Sequence, residues 1–423
     1  MRAPFTGFDA FLLALEKQYQ QRGAIGNVCR YVIDVSGKID KDELENLLNS
    51  RDWAVTLFNT SYQKGNIFRI PCWVQKNPTF IRITQHYSDD LIPESISELE
   101  LNPAITCVRM DLVQRTDGSS SIILSWNHMI MDGFGAASFL NELFGDGMEK
   151  NLKLISYEKP NYSLKSFVKS VKAKYFIDYS SRRPVSILGP RKINLNSGQY
   201  IEVLTFNPKQ KEQIHKAALA CGSYYGTSAF YLTCAARAVK SVLVKRKSKI
   251  ANFWVPVPRD NRKKGAYGPI IGNRLSFIFY RFKKTDIATI RSGIKEINRQ
   301  MKYQIKIKMP DAYNHLMNFM KWMPLSIYYF LLKRRSGNSI SSFLFTLAPD
   351  HPRDLQSLLG KKVSNAFNLP ANANPPGLTF AFMNACGKIH LMVLYYENTI
   401  SKKEFASMAL HLEHELITGH EAS

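Results

Sequence analysis

Apolar and polar residues alternate along two neighbouring segments in the first half of the chain, residues 105–115 and 121–128. An alternation of period two is typical of strands that bury one face. The residues between the two segments include Asp117-Gly118, and an Asp-Gly pair favours a tight turn between antiparallel strands. The pattern therefore predicts a β-hairpin, and we expect it to carry the sheet of the first half.

The rest of the chain shows strand-like and helix-like periods in both halves. Further strands are predicted at residues 27–35, 200–206, 250–257, 274–282, 378–384 and 389–397. Helices are predicted at residues 8–19, 41–48, 209–220, 228–244 and 402–416. Because strands alternate with helices throughout, the pattern predicts a mixed α/β fold.

The chain has 423 residues, which is too long for one ordinary hydrophobic core. Periodicity weakens over residues 154–196, where Lys, Ser, Pro and Tyr dominate and Pro184 and Pro190 act as breakers. We therefore predict an N-terminal lobe at residues 1–165, a linker at 166–195 and a C-terminal lobe at 196–423.

The net charge of the chain indicates an anionic partner but does not identify it. Lys and Arg total 57 against 34 Asp and Glu, a formal net charge of +23. Such an excess favours anionic partners, among them nucleic acid, anionic lipid headgroups, the phosphates of coenzyme A and an acidic carrier protein. The basic residues are spread over most of the chain, so charge alone does not choose among these partners.

Several classes of protein are disfavoured by what the chain lacks. No run of about 18 uncharged apolar residues occurs, which is the length that a membrane-spanning helix needs. The apolar opening stretch is interrupted by Asp9 and ends at Glu16, so we do not expect a signal peptide. The six cysteines are scattered rather than paired. A soluble, cytoplasmic protein is expected.

The histidines and glycines do not point to a metal or a nucleotide cofactor. His411 and His414 are three residues apart, but no second cluster of ligands accompanies them, and zinc needs three or four convergent ligands. No phosphate loop, dinucleotide fingerprint or Gly-x-Ser-x-Gly elbow is present. We expect no metal and no tightly bound cofactor.

The second strand of the hairpin ends in a polar motif, residues 127–133. Strand alternation places Trp126 and His128 on one face and Asn127 on the other. After Asp132 and Gly133 the apolar residues recur at helical spacing, so the motif lies in a strand-to-helix turn. Such a turn can hold one imidazole in a cleft while the aspartate caps the helix or reaches an arginine. A core histidine beside an ordinary N-cap aspartate would explain the same residues.

The context of this motif resembles the CoA-dependent acyltransferase superfamily. Its members include chloramphenicol acetyltransferase, plant alcohol acyltransferases, nonribosomal peptide condensation domains and wax ester synthases, which carry His-His-x-x-x-Asp-Gly between two strands and a helix. His128 matches the second histidine, which is the base in that family. Asn127 replaces the first, a tolerable departure because that side chain lies on the opposite face of the strand.

The resemblance extends over nearly the whole chain. Residues 255–259, Val-Pro-Val-Pro-Arg, and residues 272–276, Gly-Asn-Arg-Leu-Ser, are similar to segments of wax ester synthases and condensation domains. Residues 8–48, 227–245, 341–346 and 376–416 are similar to further family segments in the same order. The Asp-Phe-Gly-Trp-Gly segment of the plant alcohol acyltransferases is absent.

The resemblance implies a fold and a set of site residues. The fold is α/β, with two chloramphenicol acetyltransferase-like lobes, each a mixed β-sheet flanked by helices, and an active site in the cleft between them. Asp132 is expected to pair with an arginine of the second lobe, for which Arg259 is the candidate and Arg262 the runner-up. Asn127 and Gly133 would support the site. The residues expected to contact substrate or its oxyanion are Trp126, Asn273, Ser276 and Thr346.

The activity implied is transfer of an acyl group from acyl-CoA or acyl-phosphopantetheine, held as a substrate, to an alcohol or amine acceptor. Lipid or secondary metabolism is the expected setting. The first rival is a non-catalytic, condensation-like binding or scaffold protein, for which Asn127 is the one hint. The second is a basic nucleic-acid binder, although the chain has no recognised reading motif.

Residues 302–335 combine many apolar and aromatic residues with flanking basic ones. The apolar part, residues 322–332, is too short to span a bilayer. It suits either an internal helix packed between the lobes or an interfacial element that contacts a membrane surface peripherally. In the second case the acceptor or the acyl chain would be lipidic.

Overall fold

The computed structural model describes residues 2–20, 26–66, 69–145, 154–155, 160–189, 198–262, 270–333, 339–352 and 355–422. The helices of this part of the chain are α1 (Gly7–Gln20), α2 (Lys41–Asn49), α3 (Asp52–Phe58), α4 (Glu94–Ser97), α5 (Gly133–Phe144), α6 (Leu164–Ser180), α7 (Pro208–Ala220), α8 (Ser228–Lys245), α9 (Ile290–Lys306), α10 (Met309–Met320), α11 (Leu325–Lys333) and α12 (Lys402–Thr418). The strands are β1 (Arg2–Pro4), β2 (Val28–Val35), β3 (Thr60–Gln63), β4 (Cys72–Gln75), β5 (Thr84–Tyr87), β6 (Val108–Gln114), β7 (Ser120–Asn127), β8 (Gln199–Phe206), β9 (Phe253–Asp260), β10 (Leu275–Phe282), β11 (Leu344–Leu347), β12 (Ser357–Leu358), β13 (Lys361–Leu369), β14 (Leu378–Ala385) and β15 (Lys388–Tyr396).

A six-stranded mixed sheet organises the first half, in the order β12-β13-β2-β7-β6-β5. The predicted hairpin is confirmed, since β6 and β7 pair antiparallel. Gly118 turns between them at a φ of +81°, a conformation that favours glycine. Strand β13, which lies more than 230 residues further along the chain than β7, pairs with β2. The two predicted lobes therefore share this sheet.

The second half is built on a four-stranded sheet in the order β11-β14-β15-β8, with β9 and β10 as a separate antiparallel pair. Helices α8 and α12 pack against each other. A buried ion pair joins them, because Arg237 Nε donates to Glu415 Oε1 at 2.8 Å. Mixed sheets with flanking helices in both halves confirm the predicted α/β class.

Helix α6 occupies the first half of the segment that the sequence predicted as a linker. The helix begins two residues before the predicted linker, 166–195, and its small buried residues, Ser166, Ser170 and Ala173, lie where it packs along α10. Residues 190–195 of the predicted linker lie outside the described residues. Within the described ranges, no helix has the length and hydropathy needed to cross a bilayer.

Residues 302–333 form the end of α9 and the whole of α10 and α11, while 334–335 lie outside the described residues. Helix α10 packs on α1, α6 and β10, and α11 packs on α1. Their inner faces are buried, as at Tyr313, Leu316 and Tyr328. The outer face of α11 is not, since Ile327 and Phe330 are 50% and 59% exposed, and Trp322 in the turn between the two helices is 53% exposed.

Candidate active site

The turn after β7 is held by backbone hydrogen bonds and by Asn127. The backbone N–H of His128 donates to the carbonyl of Asn27 at 2.7 Å, which ties the turn to the chain before β2. The side-chain oxygen of Asn127 accepts from the backbone N–H of Met129 at 3.1 Å, and its side-chain nitrogen donates to the carbonyl of Leu101 at 3.3 Å. Asn127 is fully buried. It closes the turn from behind and does not face the cleft.

Asp132 is the N-cap of α5 and also the anion of a buried ion pair. Its Oδ1 accepts from the backbone N–H of Gly135 at 2.9 Å, and its Oδ2 accepts from the backbone N–H of Arg274 at 2.9 Å. The guanidinium of Arg262 donates to both carboxylate oxygens, at 2.9 and 3.0 Å. Such a two-pronged contact is among the strongest that a carboxylate makes. Asp132 thus joins the turn to the segment that follows β9.

The partner of Asp132 is Arg262, and the expectation of Arg259 is wrong. Along β9 the residues that line the cleft are Trp254, Pro256, Pro258 and Asp260. Because side chains alternate along a strand, Arg259 points to the opposite face, where it is exposed. Arg262 lies beyond the end of β9, and Asp260 also accepts from it at 3.0 Å.

The imidazole of His128 is oriented by Asn273. The side-chain nitrogen of Asn273 lies within hydrogen-bond distance of three acceptors, the carbonyls of His128 and Met129, each at 2.9 Å, and Oδ1 of Asp9 at 3.0 Å. These contacts identify that atom as the amide nitrogen, so the atom 3.1 Å from His128 Nδ1 is the amide oxygen. An amide oxygen only accepts. Nδ1 of the neutral ring therefore carries the proton, and the lone pair is on Nε2.

Asp9 is the anchor of this arrangement and was missed as a site residue by sequence reasoning. It is fully buried, and besides the side chain of Asn273 it accepts the backbone N–H of Asn273 at 3.2 Å and that of Thr6 at 2.9 Å. Burial raises the pKa of the Asp9 carboxyl, against the lowering effect of these hydrogen bonds. In the sequence, Thr6 and Asp9 have the spacing of an ordinary capping box, which the structure contains, and such a pair at the start of a helix gives no sign of a role at the site.

Burial also sets the protonation of the groups around the turn. Loss of solvent lowers the pKa of His128 below its ordinary 6.5, which leaves the imidazole neutral at pH 7. Behind the turn, burial raises the pKa of Glu16 to about 7, although the Glu16 carboxylate accepts the backbone N–H of Asn27 at 2.9 Å. The site therefore holds a neutral imidazole that can accept a proton.

His128 lines a cavity of about 470 Å³ between the two halves of the molecule. Most of its wall is apolar, and it comes from α1, β9, β10, α10 and α11. The aromatic residues of that wall include Phe8, Phe11, Phe277, Phe279, Tyr313 and Tyr328. The polar groups are few, among them His128, Asp260, Thr346 and Asn368. A concave, largely apolar cavity with a few polar groups is typical of a small-molecule site.

The other residues expected at the substrate divide into two sets. Trp126 and Thr346 line the cavity, and the indole N–H of Trp126 donates to the carbonyl of Met131 at 3.0 Å. Asn273 lies behind the imidazole and is 4% exposed, so its assignment to substrate contact is corrected to positioning of the base. Ser276 is wrong as a substrate contact, because Leu275 and Phe277 face the cavity and the alternation of β10 turns Ser276 away from it, toward Asn261 at 2.8 Å.

Gly133 also lines the cavity, where space is limited. A Cβ added to Gly133 would lie 3.1 Å from the side-chain nitrogen of Asn368 and 3.2 Å from a ring carbon of Pro349. At Gly135 it would lie 2.5 Å from the carbonyl of Ile270. The first turn of α5 therefore approaches the second half of the chain more closely than a side chain allows.

Across the described part of the chain, no group of three or more His, Cys, Asp or Glu side chains is arranged to hold a metal ion.

Replacing Asn273 with alanine leaves the Nδ1–H of His128 without an acceptor, and an unsatisfied buried donor costs about 1–3 kcal/mol. The substitution is therefore expected to lower kcat for acyl transfer by about five- to a hundredfold. The hydrogen bond that Nδ1 of His128 donates to the side-chain oxygen of Asn273 raises the pKa of His128, so its loss lowers that pKa further. In the wild type, kcat/KM should fall only below pH 6.5. In Asn273→Ala this acid limb should move to still lower pH while the plateau drops, which a pH profile of kcat/KM measures.

The matched control is Asn261→Ala, because Asn261 is exposed and bonds to Ser276 on the face of β10 that turns away from the cavity. It should keep both the plateau and the acid limb of the wild type. An unchanged acid limb in Asn273→Ala would show that Asn273 does not act through the imidazole.

Comparisons with known proteins locate this arrangement among known folds. No family model matches the sequence, and no curated protein matches it. The TRI3 trichothecene 15-O-acetyltransferase from Fusarium sporotrichioides has a similar structure, with a TM-score of 0.73 and 12% identity over 100% of this chain and 96% of that one.

Two condensation domains are similar as well. The first condensation domain of the calcium-dependent antibiotic synthetase has a TM-score of 0.69 and 12% identity, over 100% of this chain and 98% of that one. The condensation domain of the Monacolin K polyketide synthase MokA has a TM-score of 0.64 and 11% identity, over 100% and 98%. At these identities the likeness shows the fold. The chain therefore has the two-lobed fold of condensation domains and of an acetyltransferase, as its resemblance to the CoA-dependent acyltransferases implied.

Proposed function

We propose that this protein transfers an acyl group from an acyl thioester to a hydroxyl or amine acceptor, with His128 as the general base. The observation that carries the proposal is the orientation of the imidazole. Asn273 holds the proton on Nδ1, burial keeps the ring neutral, and His128 lines a cavity between the two halves of the chain. The similarity in fold to an acetyltransferase and to condensation domains supports the same class of reaction.

The proton and the acyl group move as follows in this proposal. Nε2 of His128 takes the proton of the acceptor O–H or N–H as the acceptor attacks the thioester carbonyl. The tetrahedral intermediate then collapses, the C–S bond breaks, and the departing thiolate takes the proton from the imidazolium. General base catalysis of this kind contributes on the order of 10²- to 10⁴-fold, and alignment of the two substrates supplies more. The hydroxyl of Thr346 is the donor that we assign to the developing oxyanion.

Asp132 and Arg262 act on the turn and not on the substrate. Both carboxylate oxygens of Asp132 are engaged by Arg262 and by the backbone N–H groups of Gly135 and Arg274, so the carboxylate has no free edge to offer a reactant. The pair holds the residues after His128 in place and fixes the backbone that carries the base.

The wall of the cavity indicates the kind of substrate. Aromatic and aliphatic side chains dominate it, so we propose that an apolar acyl chain or an apolar acceptor occupies it, in lipid or secondary metabolism. The net charge of +23 suits the phosphates of coenzyme A or an acidic carrier protein as the part of the donor that stays outside. We place the reaction in the cytoplasm, which is supported by six free cysteines.

Thiol release tests the proposal directly. Acyl-CoAs of increasing chain length, and the same acyl groups on phosphopantetheinylated carrier protein, are incubated with pooled alcohols and amines. Acceptor-dependent thiol release that rises with acyl chain length or acceptor hydrophobicity is the expected result. Failure of every donor with every acceptor would contradict acyl transfer and favour a binding or scaffold role.

A further inference from the structure

Helix α6 carries its apolar residues on the solvent side. Leu164, Val168, Val171 and Tyr175 are 79%, 45%, 53% and 72% exposed. Their spacing of three and four residues places them on one face of the helix, and Phe167, 51% exposed, lies at its edge. The opposite face, which packs on α10, carries the small residues Ser166, Ser170 and Ala173 and the larger Ile177. This is the reverse of the pattern by which a surface helix is stabilised in water.

The apolar face of α6 continues onto the end of α10 and the turn that follows it. Trp322 is 53% exposed and donates its indole N–H to the hydroxyl of Tyr162 at 2.9 Å. The rings of Tyr162 and Phe167 both pack edge-on against Phe319, with centroids 5.3 and 5.7 Å away. The exposed apolar residues on this side, which we call the α6 face, are Tyr162, Leu164, Phe167, Val168, Val171, Tyr175 and Trp322. Single exposed apolar residues are ordinary, but a contiguous set marks an interaction surface.

The charges on helix α6 itself are mostly basic. Helix α6 contains four lysines and one carboxylate, Asp178, which is paired with Lys174 at 2.5 Å. Lys165 and Lys172 are exposed along one border of the apolar stripe. Apolar and aromatic residues bordered by lysines are the composition of helices that lie in the headgroup region of a bilayer, because the rings enter the acyl boundary while the ammonium groups reach the phosphates.

The same helices form part of the wall of the cavity. Ile177 of α6, Leu316 and Met320 of α10, and Tyr328 and Leu331 of α11 line the cavity from inside. Helices α6 and α10, which pack against each other, thus lie between the α6 face and this part of the cavity wall. A membrane bound to the outer side would lie next to the cavity in which His128 is found.

We propose that the α6 face docks on the surface of an anionic lipid membrane. The apolar stripe inserts at the headgroup boundary, and Lys165 and Lys172 bind lipid phosphates or carboxylates. Docking brings the cavity within reach of molecules dissolved in the bilayer. The proposal concerns the outer surface and does not depend on acyl transfer, so His128→Ala should bind membranes like the wild type.

Co-sedimentation of the full chain with phosphatidylcholine vesicles, with and without phosphatidylserine, tests the proposal. Binding is expected to the vesicles with phosphatidylserine and to weaken as salt is added. Leu164→Ser/Val171→Ser should lower the partition coefficient roughly tenfold or more, because apolar carbons no longer enter the acyl boundary. Lys165→Gln/Lys172→Gln should lower it on the order of tenfold at low salt, with little effect at high salt.

The matched control is Leu219→Ser/Leu410→Ser, which changes two leucines that are 55% and 69% exposed on α7 and α12. It should bind like the wild type. Absence of vesicle binding by the wild type, or an equal loss in the control, would overturn the proposal. Sedimentation velocity gives a further test. If the wild type is a dimer and the α6 substitutions dissociate it, the proposal is overturned, because the face is then an interface between copies of the chain.

Discussion

His128→Ala is expected to lower acyl transfer by about 10²- to 10⁴-fold, the range that a general base contributes. Nε2 of His128 carries the lone pair on a ring that lines the cavity, and alanine leaves no group there to accept the proton of the attacking acceptor. KM for the thioester should change little, since the imidazole acts on the acceptor proton. Steady-state thiol release at saturating acceptor measures the effect.

Loss of the ring also leaves the side-chain oxygen of Asn273 without the donor at Nδ1. The free energy of unfolding should therefore be measured beside the rate, so that an effect on folding is distinguished from an effect on chemistry. His414→Ala is the control, because His414 is an exposed histidine of α12. Equal rates for His128→Ala and the wild type would rule out the proposed mechanism while leaving the fold intact.

Arg262→Leu is expected to lower the free energy of unfolding by about 3–5 kcal/mol, the usual cost of removing one partner of a buried ion pair. The side chains of Arg262 and Asp132 are only 4% and 2% exposed, so solvent cannot replace the lost guanidinium. The turn that carries His128 should loosen, and kcat should fall along with stability. Urea unfolding followed by fluorescence measures the change.

Arg259→Leu is the matched control, three residues away and exposed on the opposite face of β9. It should change the free energy of unfolding by no more than about 0.5 kcal/mol. The double variant Arg262→Leu/Asp132→Leu should lose less than the sum of the two single losses, because no buried charge then stays unpaired. Equal effects of the two arginine substitutions would show that the ion pair with Asp132 contributes nothing.

The resemblance to the acyltransferases identified the motif but misplaced three side chains around it. For two of them, the error was in which face of a strand the side chain occupies. Arg259 and Ser276 were chosen from segments that resemble the family, yet the alternation of β9 and β10 turns both away from the cavity. Both faces of these strands are apolar, because residues 253, 255 and 257, and 278, 280 and 282, are buried in the core of the second half while the alternate residues line the cavity. Alternation puts Arg259 and Ser276 on the faces that carry these core residues, but only the packing of the strands shows which face meets the cavity.

Asn273 shows a different limit. It occurs in a segment that the sequence singled out, but its role depends on Asp9, 264 positions away, and on His128, 145 positions away. No local pattern specifies which of two polar groups so distant in sequence meet in a core. Their contact follows from the packing of α1 beneath the turn, which depends on many apolar contacts at once.

Local patterns in the sequence were sufficient for the hairpin of β6 and β7, the turn at Gly118, the helices that bury one face and the strand-to-helix position of His128. Each of these follows from the period of apolar residues or from a turn residue, and both act over a few neighbours. Folding in three dimensions was needed for the pairing of β13 with β2, the partner of Asp132, the tautomer of His128 and the outward apolar face of α6. These depend on contacts between residues far apart in the chain, whose geometry is set by the packing of the whole core and leaves no periodic trace in the sequence.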